Sequence, residues 1–303
     1  SNNTATGHEA LFLSASGSLN CATGTYCMHS NDSGDKNVSS GAYSLYSNIS
    51  GNDNCATGYG ALQQNNGNNN CATGSLSLQD NTTGYSNCAF GHEALMSNIS
   101  GSGQTAVGQE ALVSNTISTF NSAVGHQALK SNLTGSTNCA FGKSALFDNT
   151  TGSNNVAIGS NSGSSGITNT TESDRIYLGN SSHTTLYCAT QTITSLSDGR
   201  DKTDIVDSPY GLNFINTLRP VQFKWKSRGV ALPKDGTSEL GFVAQDLLAA
   251  CGENNDVIGL ADDENPEYLQ AAYSKLLPIL TKAIQDQSII IDALSKRLTD
   301  AGL

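Results

Sequence analysis

The chain has 303 residues, 37% hydrophobic but only 6% aromatic and 14% charged, a composition too thin in aromatics for an ordinary globular enzyme core. Its formal net charge of -11 excludes a basic footprint for nucleic acid or an anionic membrane, and no apolar run approaches the roughly 18 residues of a membrane span. The eight cysteines include no C-x-x-C pair and no Cys/His cluster at zinc spacing, so no redox motif, metal site or cofactor is expected.

The average hides two regimes. Up to Leu196 there are 4 basic and 10 acidic residues in 196, about 7% charged; from Ser197 there are 11 and 16 in 107, about 25%. The first regime is a repeat. Gly7, Gly24, Gly41, Gly58, Gly74, Gly91, Gly108, Gly125, Gly142 and Gly159 are spaced by 17 residues, once by 16. Four residues before each stands Asn, replaced by Gln104 once, and two before stands Ala, replaced by Ser39 once. A small-then-large pair such as Ala94-Leu95 follows three and four residues after the glycine, with Asn98 and Gly101 completing that unit.

Gly and Asn supply turns, so each unit reads as two short strands separated by turns, one coil of a parallel solenoid. Ten coils at about 4.8 Å make a rod on the order of 48 Å long, with Asn side chains bonding up and down the stack. The strand positions carry no charge on either face, whereas a half-exposed strand alternates with polar residues. One face fills the coil; the other needs a second cover, which predicts self-association along the rod. Cys21, Cys55, Cys71, Cys88 and Cys139 share one slot with Val38, Val156 and Thr105, which marks small buried packing residues rather than a disulfide ladder. His8, His92 and His126 share a slot with Gln109 and Lys143 and therefore face solvent.

The N-x-A-x-G-x-x-A-L unit resembles the head of trimeric autotransporter adhesins, over residues 1 to 162. That resemblance implies a left-handed parallel β-roll in a homotrimer. The chain starts inside its first repeat, at Asn3, so further residues are expected upstream.

Residues 163–196 read as linker and β-rich neck: a loose Ser/Gly connector, then Arg175 to Gly179 and Thr184 to Leu196. Residues 197–303 form a separate α/β module. Ser208-Pro209 reads as a helix start with Leu212, Ile215 and Leu218 on one side. Val221, Phe223 and Trp225 alternate with Gln222, Lys224 and Lys226 as a half-buried strand. Heptads place Leu277, Ile284, Ile291 and Leu298 at a, and Leu280, Gln287, Leu294 and Ala301 at d, a coiled coil over about 277–301. The competing reading is an amphipathic helix packed on its own domain.

Four stretches stand in order: Ser197-Asp198-Gly199-Arg200-Asp201-Lys202, Pro220-Val221-Gln222-Phe223-Lys224-Trp225, Gly241-Phe242-Val243-Ala244-Gln245, and Tyr273-Ser274-Lys275-Leu276-Leu277-Pro278. Together with the terminal heptads they are similar to the intramolecular chaperone at the C-terminus of phage tail fibres and tailspikes. The resemblance implies that the domain trimerises the fibre and is then released, with Ser197 as nucleophile, Lys202 as base and Leu196-Ser197 as the bond cut. Five residues of straight strand would hold Ser197 and Lys202 about 16 Å apart on opposite faces, so a turn at Asp198-Gly199 must join them, unless the lysine comes from a neighbouring protomer. Arg200 and Gln245 are candidates to orient the site or polarise the carbonyl. Asp201 departs from the apolar residue common in the family, and a carboxylate there favours the charged lysine.

The expectation is a homotrimeric attachment fibre on a virion tail or a bacterial surface, outside the cell. Its partners would be copies of itself and a surface receptor, a glycan or a protein. The alternatives are a chaperone-bearing fibre that does not cut itself and a tailspike-type polysaccharide-degrading enzyme, for which stacked coils could bring Glu93 near Glu110. An ice-binding face along Thr6, Thr23, Thr57 and Thr73 fails because the slot becomes Phe90, Val107 and Ile158.

Overall fold

A computed structural model describes residues 2–164, 171–180, 182–183, 197–226, 236–262 and 269–302. The chain divides into two compact units, Ser1–Thr184 and Thr185–Leu303. Residues 165–170 of the expected connector, and the neck strand expected over Thr184 to Leu196, lie outside the described residues.

The first unit is a parallel β-solenoid. Its strands are β1 (Thr4–Thr6), β2 (Cys21–Thr23), β3 (Val38–Ser40), β4 (Cys55–Thr57), β5 (Cys71–Thr73), β6 (Cys88–Phe90), β7 (Thr105–Val107), β8 (Ser122–Val124), β9 (Cys139–Phe141), β10 (Val156–Ile158) and β11 (Ile176–Leu178). They form one sheet in chain order, every neighbouring pair parallel, and β11 adds an eleventh rung beyond the ten repeat coils. The repeat period sets the register, so equivalent residues stack: Ala89 on Ala106, Val107 on Val124.

Each repeat coil holds one three-residue strand, not two. Two positions of the following turn, such as Glu93 and Leu95 or Glu110 and Leu112, have φ between 53° and 57°. Left-handed residues bend the chain and cannot continue a strand. The middle strand residue points into the coil, where the alanines pack on the leucines Leu45, Leu62, Leu78, Leu95, Leu112 and Leu129, all fully buried.

Two buried columns of amides run beside this apolar stripe. In one, an Asn accepts the backbone N–H of the equivalent residue of the next coil and, in most coils, donates to a glycine carbonyl: the Asn87 N–H donates to Asn70 Oδ1 at 3.0 Å, and Asn87 Nδ2 to Gly101 O at 2.8 Å. In the other, Asn98 Nδ2 donates to Asn81 Oδ1 at 2.7 Å, and Asn115 Nδ2 to Asn98 Oδ1 at 3.0 Å. Gln104 keeps the first column continuous: its N–H reaches Asn87, and its Oε1 accepts from Asn121. Interiors this polar are stable only when such groups are paired.

The cysteine slot is not in the coil core. Cys21, Cys71 and Cys88 are exposed, and Cys55 and Cys139 half-buried, because the strand alternates and the central alanine takes the interior. The outward face also carries exposed Phe90, Phe141 and Ile158.

The second unit contains α1 (Leu212–Ile215), β12 (Val221–Lys224), β13 (Ser238–Gly241), α2 (Ala244–Cys251), α3 (Asn255–Ile258), β14 (Ala261–Asp262), β15 (Gln270–Ala271) and α4 (Leu276–Asp300). Strands β12 and β13 pair antiparallel, as do β14 and β15. The core joins Leu247, Cys251, Ile258, Leu260, Leu276 and Ile279, with Phe214, Ile215 and Leu218 against it. The helix expected at Ser208 begins later, at Leu212: Ser208 Oγ accepts the N–H of Tyr210 as a cap would, but Gly211, at φ -135° and ψ -133°, is not helical and delays the start. The expected strand is present, with Val221 and Phe223 half-buried between exposed Gln222 and Lys224.

Candidate functional site

Ser197 opens the described part of the second unit, and Asp198 begins one turn of 3-10 helix over Gly199–Asp201. Asp198 caps this turn, Oδ1 accepting from the Arg200 N–H at 2.9 Å, as short acceptor side chains do at helix starts. The turn reverses the chain. Lys202 Nζ lies 2.6 Å from Ser197 Oγ and 3.4 Å from Ser197 O. A 3-10 turn rather than a hairpin turn therefore joins the two residues within one chain.

The side chains around them have separate tasks. Arg200 donates to both oxygens of Asp198, with Nε at 3.1 Å and Nη2 at 2.5 Å. The Arg200 guanidinium and backbone N–H hold the Asp198 carboxyl below the usual carboxylate range, and Asp198 raises Arg200 in return. Arg200 is thus committed to the turn. Among the described residues, no ion pair joins Asp201 to Lys202, and no hydrogen bond joins Gln245 to Ser197 or Lys202. Gln245 is an exposed residue of the first turn of α2. Ser197, Arg200 and Lys202 are exposed in the single chain, and Leu196 lies outside the described residues.

The later motifs hold one another. Arg219, just before Pro220, pairs with Asp246 at 2.9 Å, one residue after Gln245. Trp225 Nε1 donates to Glu239 Oε2 at 2.9 Å across the β12–β13 pair. Tyr273 binds Phe242 through its hydroxyl, joining the third motif to the fourth.

Helix α4 carries two stripes, where the sequence reading offered one or the other. Leu276, Ile279 and Ala283 are buried in the unit's own fold, and Asp286 accepts the Leu212 N–H at 3.1 Å. The neighbouring stripe is bare: Leu277, Leu280, Ile284, Ile291, Leu294 and Leu298 are between 42% and 69% exposed. Lys282 sits 2.7 Å from Asp286, and Lys282 and the Leu212 N–H hold the Asp286 carboxyl below its usual range.

In the solenoid, His8, His92 and His126 are exposed, and among the described residues no three His, Cys, Asp or Glu side chains form a group able to hold a metal ion. Glu110 is bound by Lys130 and Gln127, which hold its carboxyl below the usual range. A glycosidase acid needs the opposite shift.

A β-solenoid followed by a small module whose long helix carries an uncovered heptad stripe fits a fibre-type chain. Residues 197–255 match the family described as chaperone of endosialidase. The match begins at Ser197 and spans β12, β13 and α2, while Tyr273 and α4 lie beyond it. The two units together fit a phage-fibre-like protein with a C-terminal chaperone domain. No curated protein and no solved structure matches the chain. No helix among the described residues is long and apolar enough to cross a membrane.

Proposed function

We propose that the chain is a homotrimeric attachment fibre whose C-terminal domain directs assembly and is then released by cutting the Leu196-Ser197 bond. The contact of Lys202 Nζ with Ser197 Oγ at 2.6 Å carries this reading. A serine hydroxyl is a weak nucleophile until a positioned base removes its proton, and lysine is a base only when neutral.

In the step proposed, neutral Lys202 takes the Ser197 hydroxyl proton as Oγ bonds to the Leu196 carbonyl carbon. The Leu196-Ser197 C–N bond then breaks, the amide nitrogen takes a proton from Lys202, and an ester joins Leu196 to Ser197 Oγ. Water cleaves that ester, leaving a Leu196 carboxylate and restoring the Ser197 hydroxyl beside a free amine. Removal from water favours neutral lysine. Lys202 is exposed in one chain, so cover by neighbouring copies would couple cutting to assembly.

The uncovered heptad stripe of α4 supports the trimer, as do the outward Phe90, Phe141 and Ile158 of the solenoid. The receptor is a surface glycan or protein outside the cell.

Denaturing electrophoresis of the wild type beside Ser197→Ala tests the cut. The wild type should give two bands and the variant one full-length band. A wild type that stays full length through folding and heating leaves only an assembly role for the domain.

A further inference from the structure

The outward cysteines are not equivalent. Cys55, Cys71 and Cys88 fall on three successive coils, and the register pairs Cys55 directly with Cys71, and Cys71 with Cys88. Cys21 has Thr4 and Val38 as neighbours, and Cys139 has Ser122 and Val156. Among the described residues, only the middle of the solenoid sheet therefore holds thiol beside thiol. Burial and then the Cys55 and Cys88 thiols push the Cys71 thiol up, as expected for a middle sulfur with a thiol neighbour on either side. All three are free thiols.

Adjacent strands lie about 4.8 Å apart, and two metal–thiolate bonds of about 2.3 Å placed end to end span about 4.6 Å. One ion can thus sit between stacked thiolates without a shift of the backbone. Tetrahedral zinc is not served, because no group of three or more ligating side chains forms among the described residues. Thiolates taken two at a time suit soft ions that accept linear two-coordination.

We propose that Cys55, Cys71 and Cys88 form a thiolate ladder that binds a soft monovalent cation of the copper(I) or silver(I) class between stacked pairs, with Cys71 shared by both pairs. Each participating thiol loses its proton to water as a sulfur–metal bond forms, and nothing is oxidised or reduced. The site rests on the strand register within one chain and not on the self-assembly reading.

The test uses the full chain with silver(I) as probe, reading the silver retained after desalting and which cysteines then resist iodoacetamide. The wild type should retain silver, and silver should add protection, over the silver-free chain, at the three row thiols and none at Cys21 or Cys139. Cys55→Ser and Cys88→Ser each leave one stacked pair and should still bind. Cys71→Ser leaves thiols two strand spacings apart, about 9.6 Å, and should lose the silver. Serine already occupies this slot at Ser122, so the fold accommodates each change. A wild type that retains no silver overturns the proposal, as does a Cys71→Ser chain that binds like Cys139→Ser or no worse than Cys55→Ser.

Discussion

The Tyr273 hydroxyl closes both backbone groups of Phe242: it accepts the N–H at 3.1 Å and lies 3.3 Å from the carbonyl oxygen, with the two rings edge to face at 5.9 Å. Phe242 sits between the end of β13 and the start of α2, where no ladder partner is available to its backbone. A tyrosine from the segment before α4 thereby holds the strand-to-helix junction. Tyr273→Phe keeps the ring and removes the hydroxyl, so the C-terminal unit should lose about 1 kcal/mol. Thermal unfolding of the chain, followed through Trp225 fluorescence, measures this; an unchanged midpoint would assign the junction to ring packing alone.

Asp198 should matter to the Ser197–Lys202 contact without touching either side chain. It caps the turn and pairs with Arg200, so its folded-state pKa is depressed below the ordinary value of 3.8. A depressed carboxylate contributes above its unfolded pKa and loses that contribution as pH falls through the lower folded value. The turn should therefore be intact at neutral and mildly acidic pH and loosen only below 3.8. Asp198→Asn keeps a capping oxygen but loses the ion pair, while Asp198→Ala loses both. The order of cutting rates at neutral pH should be wild type, then Asn, then Ala, read from time courses on denaturing gels. A fully active alanine variant would show that the turn forms without its cap.

Much of this was legible because the repeat writes one structural rule ten times. The Asn columns, the buried alanines and the parallel register all follow from the period. The second strand expected in each coil failed for a local reason: Glu93, Leu95, Glu110 and Leu112 adopt left-handed φ without being Gly or Asn, and nothing in those residue types announces it. Exchange of cysteine with Val and Thr marked an apolar slot, but which side of the strand faces inward was decided by alanine, the side chain small enough for the coil. In the second unit, the heptads described one stripe of α4 and concealed Leu276, Ile279 and Ala283, because an a/d pattern does not report a second apolar face beside it.

The solenoid's glycines set a limit on change. Gly91 has a φ of +143°, and a Cβ there would stand 2.5 Å from the Gly108 carbonyl oxygen of the next coil. Neither the strain nor the clash can relax while the coils stay stacked, so Gly91→Ala should cost about 3 kcal/mol. Thr137 is the opposite case: a β-branched, exposed residue at φ +58°. Thr137→Gly relieves left-handed strain of about 1 to 2 kcal/mol and gives part of it back as unfolded-chain entropy, for a net gain near 0.5 kcal/mol. Circular dichroism melts of both variants should shift in opposite directions. A tolerated Gly91→Ala would mean that the coil spacing is looser than the register implies.

The two stripes of α4 separate folding from assembly. Ile279 is 5% exposed within its own unit, so Ile279→Ala opens a cavity and should destabilise that unit by about 3 kcal/mol at any protein concentration. Leu294 is 51% exposed in the single chain and takes no part in the unit's core. Leu294→Asp should leave the melting of an isolated chain unchanged, because the new carboxylate stays in water. In an assembled trimer, three such carboxylates would meet at one d layer, where burial and like-charge repulsion oppose association. On the uncut Ser197→Ala background, sedimentation equilibrium should therefore give a trimer mass, and a monomer mass once Leu294→Asp is added. A trimer that survives Leu294→Asp but fails with Phe141→Asp, on the outward face of β9, would move the assembly contact from α4 to the solenoid.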